Sequence, residues 1–185
     1  MSTRKMALTG LFASLLAVSS QIAIPLGPVP HTLQIFFVLL SGLLLGSRWG
    51  GTSVGVWIAL GAFGLPVFAQ GKAGVAVLAG PTGGFLIGFM VCAFMVGKLT
   101  EGTDYGFFRT ALIMLVGLGT VYLIGLFGFM LSFQYFLHKP MTVDKAATLA
   151  VVPFLPFDII KTIMAAYIGT KVRRAVERAG YGINR

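Results

Sequence analysis

Apolar residues in this chain run in long blocks, broken by short clusters of glycine, proline and charge. Six blocks stand out, at residues 5–24, 32–46, 52–63, 83–98, 109–137 and 143–171. Blocks of this kind predict helices that cross a bilayer, although 32–46 and 52–63 fall short of the usual ~17 residues for a full span. Short spans tilt, or leave a recess that something else must fill. The segment between the third and fourth blocks suits that task. It is mostly apolar, yet Gly64, Pro66, Gly71, Gly74, Gly80, Pro81, Gly83 and Gly84 keep it from being one helix. An apolar loop of this length is unusual and reads as a lid or binding loop. The expectation is an all-α integral membrane protein of six transmembrane helices, some short, with a lid-like loop between helices three and four.

Between the first two blocks, Pro25, Gly27, Pro28 and Pro30 exclude helix and predict a stiff turn. His31, Thr32 and Gln34 follow at the mouth of the second block. A lone histidine there reads as a surface or structural residue. The amide of Gln34 offers both a donor and an acceptor at the membrane edge.

Composition supports the membrane assignment. The chain has 185 residues, 57% hydrophobic and 10% charged, where a soluble domain has about 25% charged residues. Residues 1–185 read as a single domain, because no charged block is long enough to fold separately in water. The start, Met1 to Lys5, has the basic character of a signal peptide. Ser14, Ser19, Ser20 and Gln21 interrupt the following apolar run and no cleavage site precedes Pro25, so the segment reads as a retained first helix.

The net charge of +9 is distributed by side. Arg4, Lys5, Arg48, Lys98, Arg109, Lys171, Arg173, Arg174, Arg178 and Arg185 fall on one face of the six-span arrangement. Lys72, Lys139 and Lys145 fall on the other. This is the positive-inside pattern with both termini cytoplasmic, and it favours a lipid surface over nucleic acid.

One cation remains, Lys161, three residues after Asp158. Both lie deep in the last block, just beyond Pro153 and Pro156. At about 1.5 Å per helical residue, Asp158 lies roughly 20 Å from Lys145, and Lys161 roughly 15 Å from Lys171. Ionisable groups at mid-membrane cost roughly 2.5–3.5 kcal/mol each on insertion scales, and they mark functional sites by default. The i, i+3 spacing puts both on one helix face. The two prolines free backbone carbonyls nearby, tolerated at that depth only beside protein or a wet cavity. The alternative is a pair that neutralises itself, or holds a neighbouring helix, and touches no ligand.

Enzymatic chemistry finds little support. The two histidines lie in loops, and there is no H-E-x-x-H motif and no pair of cysteines, so no catalytic residue and no metal site is assigned. Neither Gly71-Lys72 nor Gly97-Lys98 completes a phosphate-binding loop, which needs a glycine five residues before the glycine and Ser or Thr after the lysine.

Four motifs occur in order: Gly27-Pro28-Val29-Pro30-His31-Thr32-Leu33-Gln34, Gly61-Ala62-Phe63-Gly64-Leu65-Pro66-Val67-Phe68-Ala69, Gly80-Pro81-Thr82-Gly83-Gly84 and Pro156-Phe157-Asp158-Ile159-Ile160-Lys161. Together, over about residues 5–175, they resemble the BioY family, the biotin-specific substrate-capture (S) components of energy-coupling-factor (ECF) transporters. The resemblance implies an outward-facing biotin pocket, capped by loops, in the cytoplasmic membrane of a prokaryote. It implies as partners a transmembrane coupling subunit, met by a small-residue strip on the first helix that Ala13 and Ala17 match, and two separate ATPase subunits. It implies no cofactor, biotin being the transported ligand. The family pattern has glycine where Phe157 stands, and tyrosine where Phe85 and Trp57 stand.

With biotin as the ligand, Lys161 is expected to pair with its carboxylate and Asp158 to accept from a ureido N–H. Gln34, Thr32, Thr82, Gly80 and Gly83 are candidate further contacts, and Phe68 a wall for the rings. An S component for another vitamin, or a stand-alone carrier or channel, is the alternative, and a membrane enzyme a more distant one.

Overall fold

In the computed structural model, which describes residues 3–26, 28–102 and 106–179, the chain is mostly helical. Met1, Ser2, Gly27, residues 103–105 of the expected cytoplasmic loop, and Arg185 of the basic side lie outside the described residues. Helix α1 (Thr3–Gln21) tolerates its serines because their hydroxyls turn back onto the helix. Ser14 Oγ donates to Gly10 O and Ser19 Oγ to Leu16 O, so no hydroxyl enters apolar surroundings unpaired.

The proline-rich turn is a β-hairpin, an addition to the all-α expectation. Strand β1 (Ala23–Leu26) pairs antiparallel with β2 (Val29–Thr32), with Ala23 opposite Thr32 and Pro25 opposite Pro30. Proline is tolerated in a two-stranded ribbon because each strand is an edge.

Blocks two and three share one helical stretch, α2 (Gln34–Ala62), broken at Gly46, whose φ of 79° and ψ of 179° are not helical. The chain doubles back there. A Cβ placed on Gly50 would lie 2.9 Å from Gly42 Cα, which a continuous helix would hold about 12 Å away. Glu101 secures the turn by accepting from Ser47 N (2.8 Å) and Ser47 Oγ (2.6 Å).

After a short helix α3 (Val75–Ala79), α4 (Gly83–Thr100) packs between α2 and α5 (Phe107–Tyr135). In lipid, helices gain little from hiding apolar surface and rely on close fit at small residues. Gly84 and Gly128 provide it: a Cβ on Gly128 would lie 2.5 Å from Gly84 Cα. The sixth block is not one continuous helix. It divides into α6 (Val143–Ala150) and α7 (Leu155–Arg178), bent by 55°. Pro153 lies in the break. Pro156 sits in the first turn of α7, where its missing N–H would have been unpaired anyway.

Among the described residues, three helices are long and apolar enough to cross a membrane: α2, α4 and α5. The bent pair α6–α7 makes a fourth. Phe108, Leu123 and Phe127 are among the large apolar side chains that point outward, as a lipid-facing surface requires. The interior packs around Trp57, Phe68, Phe129, Leu39, Leu43 and Met114.

Candidate functional site

The break before α7 puts Asp158 in the first turn of a helix, where the positive end of the helix dipole favours a carboxylate. Asp158 and Lys161 meet as their spacing predicts, with Nζ 2.6 Å from Oδ1. They are not an isolated pair. Tyr122, from the middle of α5, donates its hydroxyl to Asp158 Oδ2 (2.7 Å). Lys161 Nζ also donates to Thr32 O (2.6 Å) and lies 3.0 Å from His31 Nε2. Three partners occupy the three N–H directions of an ammonium. The β-hairpin is thereby tied to α7, and α7 to α5.

His31, which reads as a surface residue in the sequence, is part of this network. Its ring stacks on Phe154 (centroids 5.5 Å, planes 22° apart) and meets Phe157 edge-on (5.2 Å). An ammonium has no acceptor, so Nε2 accepts from Lys161 and the imidazole is neutral, with its proton on Nδ1. Burial, and then the Lys161 charge, lower its pKa from the ordinary 6.5, while Asp158 opposes them.

A cavity opens beside the network. Thr32, Gln34, Phe68, Thr82 and Asp158, five of the residues anticipated from sequence, line it. His31, Lys72, Phe85, Phe89, Tyr122 and Phe154 line it too. Lys161, Gly80 and Gly83 do not. Gly83 instead lets the chain pass close to α3, since a Cβ there would run into Leu78 O. Gly80 ends α3, its N–H donating to Ala76 O.

Gln34 carries a specific signal. Its side chain is 4% exposed, and its Oε1 accepts from Thr32 Oγ1 (2.6 Å). Among the described residues its Nε2 has no partner. A buried, unpaired donor costs roughly 1–3 kcal/mol and calls for an acceptor. Gln34, which carries this unpaired N–H, and Asp158 both line the cavity, among aromatic rings.

The loop after α2 forms the outer wall. Phe68 is 2% exposed and packs edge-on against Trp57, ring centroids 5.5 Å apart, above Gly61, where a Cβ would strike its ring. Trp57 donates Nε1–H to Val67 O (2.8 Å). The end of α1 clamps the loop from the other side. Ser20 Oγ lies 2.7 Å from Val67 O. Gln21 Nε2 donates to Phe68 O (3.1 Å), and Gln21 Oε1 accepts from Gly71 N (3.1 Å).

The two alanines of the α1 strip differ in burial. Ala13 is 3% exposed and belongs to the core, and Ala17 is half-buried. Gly10, Leu11, Ser14 and Val18 form the outward face. Apolarity on every side left the inward face of α1 undetermined by the sequence.

Comparisons with known proteins agree with this architecture. The family model described as "BioY family" matches residues 1–178. A biotin transporter BioY of Thermotoga maritima is 43% identical over 177 residues, spanning 95% of this chain and 99% of that protein. A probable biotin transporter BioY of Pyrococcus horikoshii is 38% identical over 173 residues, spanning 94% and 98%. A crystal structure of the S-component for biotin from an ECF-type ABC transporter superposes with a TM-score of 0.81 at 29% identity, covering 94% of this chain and 95% of that one.

Proposed function

This chain belongs to the BioY family, and we propose that it captures biotin as the substrate-specific S component of an ECF-type transporter. The observation that carries the ligand assignment is the pairing, in one aromatic cavity, of the unpartnered Gln34 Nε2–H with the Asp158 carboxylate. A ureido group has a strong acceptor and two donors. Its carbonyl would take the Gln34 N–H and one of its N–H groups would reach Asp158. A hydrogen bond to an ionised partner is stronger than a neutral one. Thr82 borders the same space, and Phe68 and Phe85 face the fused rings, which are apolar apart from that group. Thr32, at the cavity wall, and Lys161, behind it, act through their neighbours. Thr32 turns the Gln34 amide, and Lys161 fixes the Asp158 carboxylate in place at the cavity wall. Gly80 and Gly83 shape the loop that covers the site.

In this reading the whole chain is one domain of six membrane-crossing segments, with the two arms of α2 counted separately and α6–α7 as one. The loop between the second arm of α2 and α4 is the lid. Both termini face the cytoplasm of a prokaryotic cell, supported by the side bias of the lysines and arginines. The protein performs no hydrolysis itself. Two partner ATPases supply the energy through a transmembrane coupling subunit that docks along α1, where Ala17 flanks the outward face of Gly10, Ser14 and Val18.

The test is biotin binding to the purified protein in detergent, wild type beside Asp158→Asn. The expected result is tight binding by wild type and at least a tenfold loss in the variant, from the roughly 1.5–3 kcal/mol of a hydrogen bond to a charged group. A folded wild type that ignores biotin and binds another vitamin would overturn the ligand assignment.

A further inference from the structure

Biotin has two polar ends, and the network at Asp158 accounts for one. We infer that Lys72, on the loop turn above the cavity, is the residue that receives the carboxylate of the ligand. This rests on the biotin reading. It sets the direction in which the ligand enters, ureido end inward and carboxylate toward the loop.

The first ground is the state of Lys161. Its ammonium is 2.6 Å from Asp158 Oδ1, 2.6 Å from Thr32 O and 3.0 Å from His31 Nε2. Its side chain does not line the cavity. A carboxylate could reach it only by displacing one of these partners, and would then lie against the carboxylate of Asp158. Two like charges at that spacing oppose each other. The Asp158 end of the cavity therefore suits a neutral group with N–H donors and repels an anion.

The second ground is Lys72 itself. It lines the same cavity from the opposite side of the sequence, on a loop rather than on α7, and it is exposed. Among the described residues its ammonium has no hydrogen-bond or ion-pair partner. His31 being neutral, Lys72 is the cavity-lining residue with a full positive charge.

The third ground is the rigidity of its support. Residues 68–72 form a tight turn in which Phe68 N donates to Lys72 O (3.1 Å). Gln70 and Gly71 take left-handed backbone, with φ of 63° and 68°. Gln21 bonds the turn at Phe68 O and Gly71 N, and the Phe68 ring anchors it against Trp57. Lys72 thus lines the cavity from a backbone fixed in place. Fixing one partner beforehand lowers the ordering cost of the ion pair.

The experiment measures binding of biotin and of its alcohol analogue, in which the carboxylate is replaced by CH2OH, to wild type, Lys72→Ala, Lys72→Arg, Lys72→Glu and Lys161→Met. Melting temperature confirms folding of each. Lys72→Ala is expected to weaken biotin by roughly threefold or more, near the upper end for an exposed pair, and to leave the alcohol unchanged. Lys72→Arg should retain biotin affinity, and Lys72→Glu should prefer the alcohol. The selective loss should shrink as salt is raised. Equal effects of Lys72→Ala on both ligands, or no effect on either, would overturn the inference, as would a carboxylate-selective loss confined to Lys161→Met. If wild type binds neither ligand, the biotin reading itself fails, and the inference with it.

Discussion

Tyr122 and Lys161 hold the same carboxylate from opposite sides: the phenol donates to Asp158 Oδ2 at 2.7 Å, while the ammonium lies 2.6 Å from Oδ1. Asp158 thereby joins α5 to the hairpin through Lys161. Removing one member of a buried ion pair strands the other charge and costs about 3–5 kcal/mol, whereas removing both costs far less. Lys161→Met should therefore melt well below wild type in detergent. Asp158→Asn combined with Lys161→Met should recover most of that loss and still fail to bind biotin. A double variant no more stable than Lys161→Met alone would show that the pair is not coupled as its geometry requires.

Gly61 controls the aromatic wall. Any side chain there meets the ring of Phe68, which fills the space between Trp57 and the cavity. Overpacking a fitted site costs about 1–3 kcal/mol. Gly61→Ala should shift Phe68, lower the melting temperature and weaken biotin binding. The emission of Trp57 should also change, and a spectrum and affinity both identical to wild type would contradict this.

The sequence exposed the parts of the site that break a membrane rule. Asp158 and Lys161 were legible because two ionisable groups interrupt an apolar block, Gln34 because it brings an amide to the membrane edge, and Thr82 and Phe68 because glycine and proline surround them. Tyr122 was not, since one tyrosine in a 29-residue apolar helix carries no local signal and gains its meaning only from a partner on α7. His31 looked like a surface group because its stacking partners, Phe154 and Phe157, are over 120 positions away. The fold shows the same limit. Six apolar blocks were readable, but the reversal at Gly46 and the bend before α7 depend on contacts between helices. So does the burial of Ala13 in place of Gly10 and Ser14.

His31 makes the site sensitive to acid. Its pKa is lowered chiefly by burial and next by Lys161, with Asp158 pulling the other way; these two charges on α7 are the ones facing it. A lowered histidine pKa means that the unfolded chain takes up the proton first. The stabilisation is complete above the ordinary value of 6.5 and is lost as pH falls below it through the folded-state pKa. Protonation would also place a second cation beside Lys161 Nζ. Thermal stability should fall between pH 7.5 and 5, and biotin affinity with it. His31→Gln, whose amide oxygen can still accept from Lys161, should flatten both profiles, and profiles of unchanged slope would exclude His31 as the titrating group.

Glu101 predicts a second acid sensitivity, at the other end of the helices. After the left-handed Gly46, a new run of helix begins at Ser47 with its N–H unpaired within the chain segment. Glu101, just beyond the end of α4, supplies the missing acceptor. It therefore caps the second arm of α2 from a different helix, and the two Ser47 bonds, ahead of Lys98, pull its pKa below the ordinary 4.5. A lowered carboxylate pKa contributes stability that is present above the unfolded value and lost as pH falls through the folded one. Replacing a helix cap costs about 0.5–2 kcal/mol. Glu101→Ala should destabilise the protein at pH 7 by an amount in that range, read as a lower melting temperature, while biotin affinity stays near wild type, because neither Glu101 nor Ser47 lines the cavity. The difference between variant and wild type should shrink as pH falls below 4.5 through the folded-state value, as the wild-type carboxylate takes up its proton. A difference that persists at low pH would mean that Glu101 acts through packing rather than through its charge.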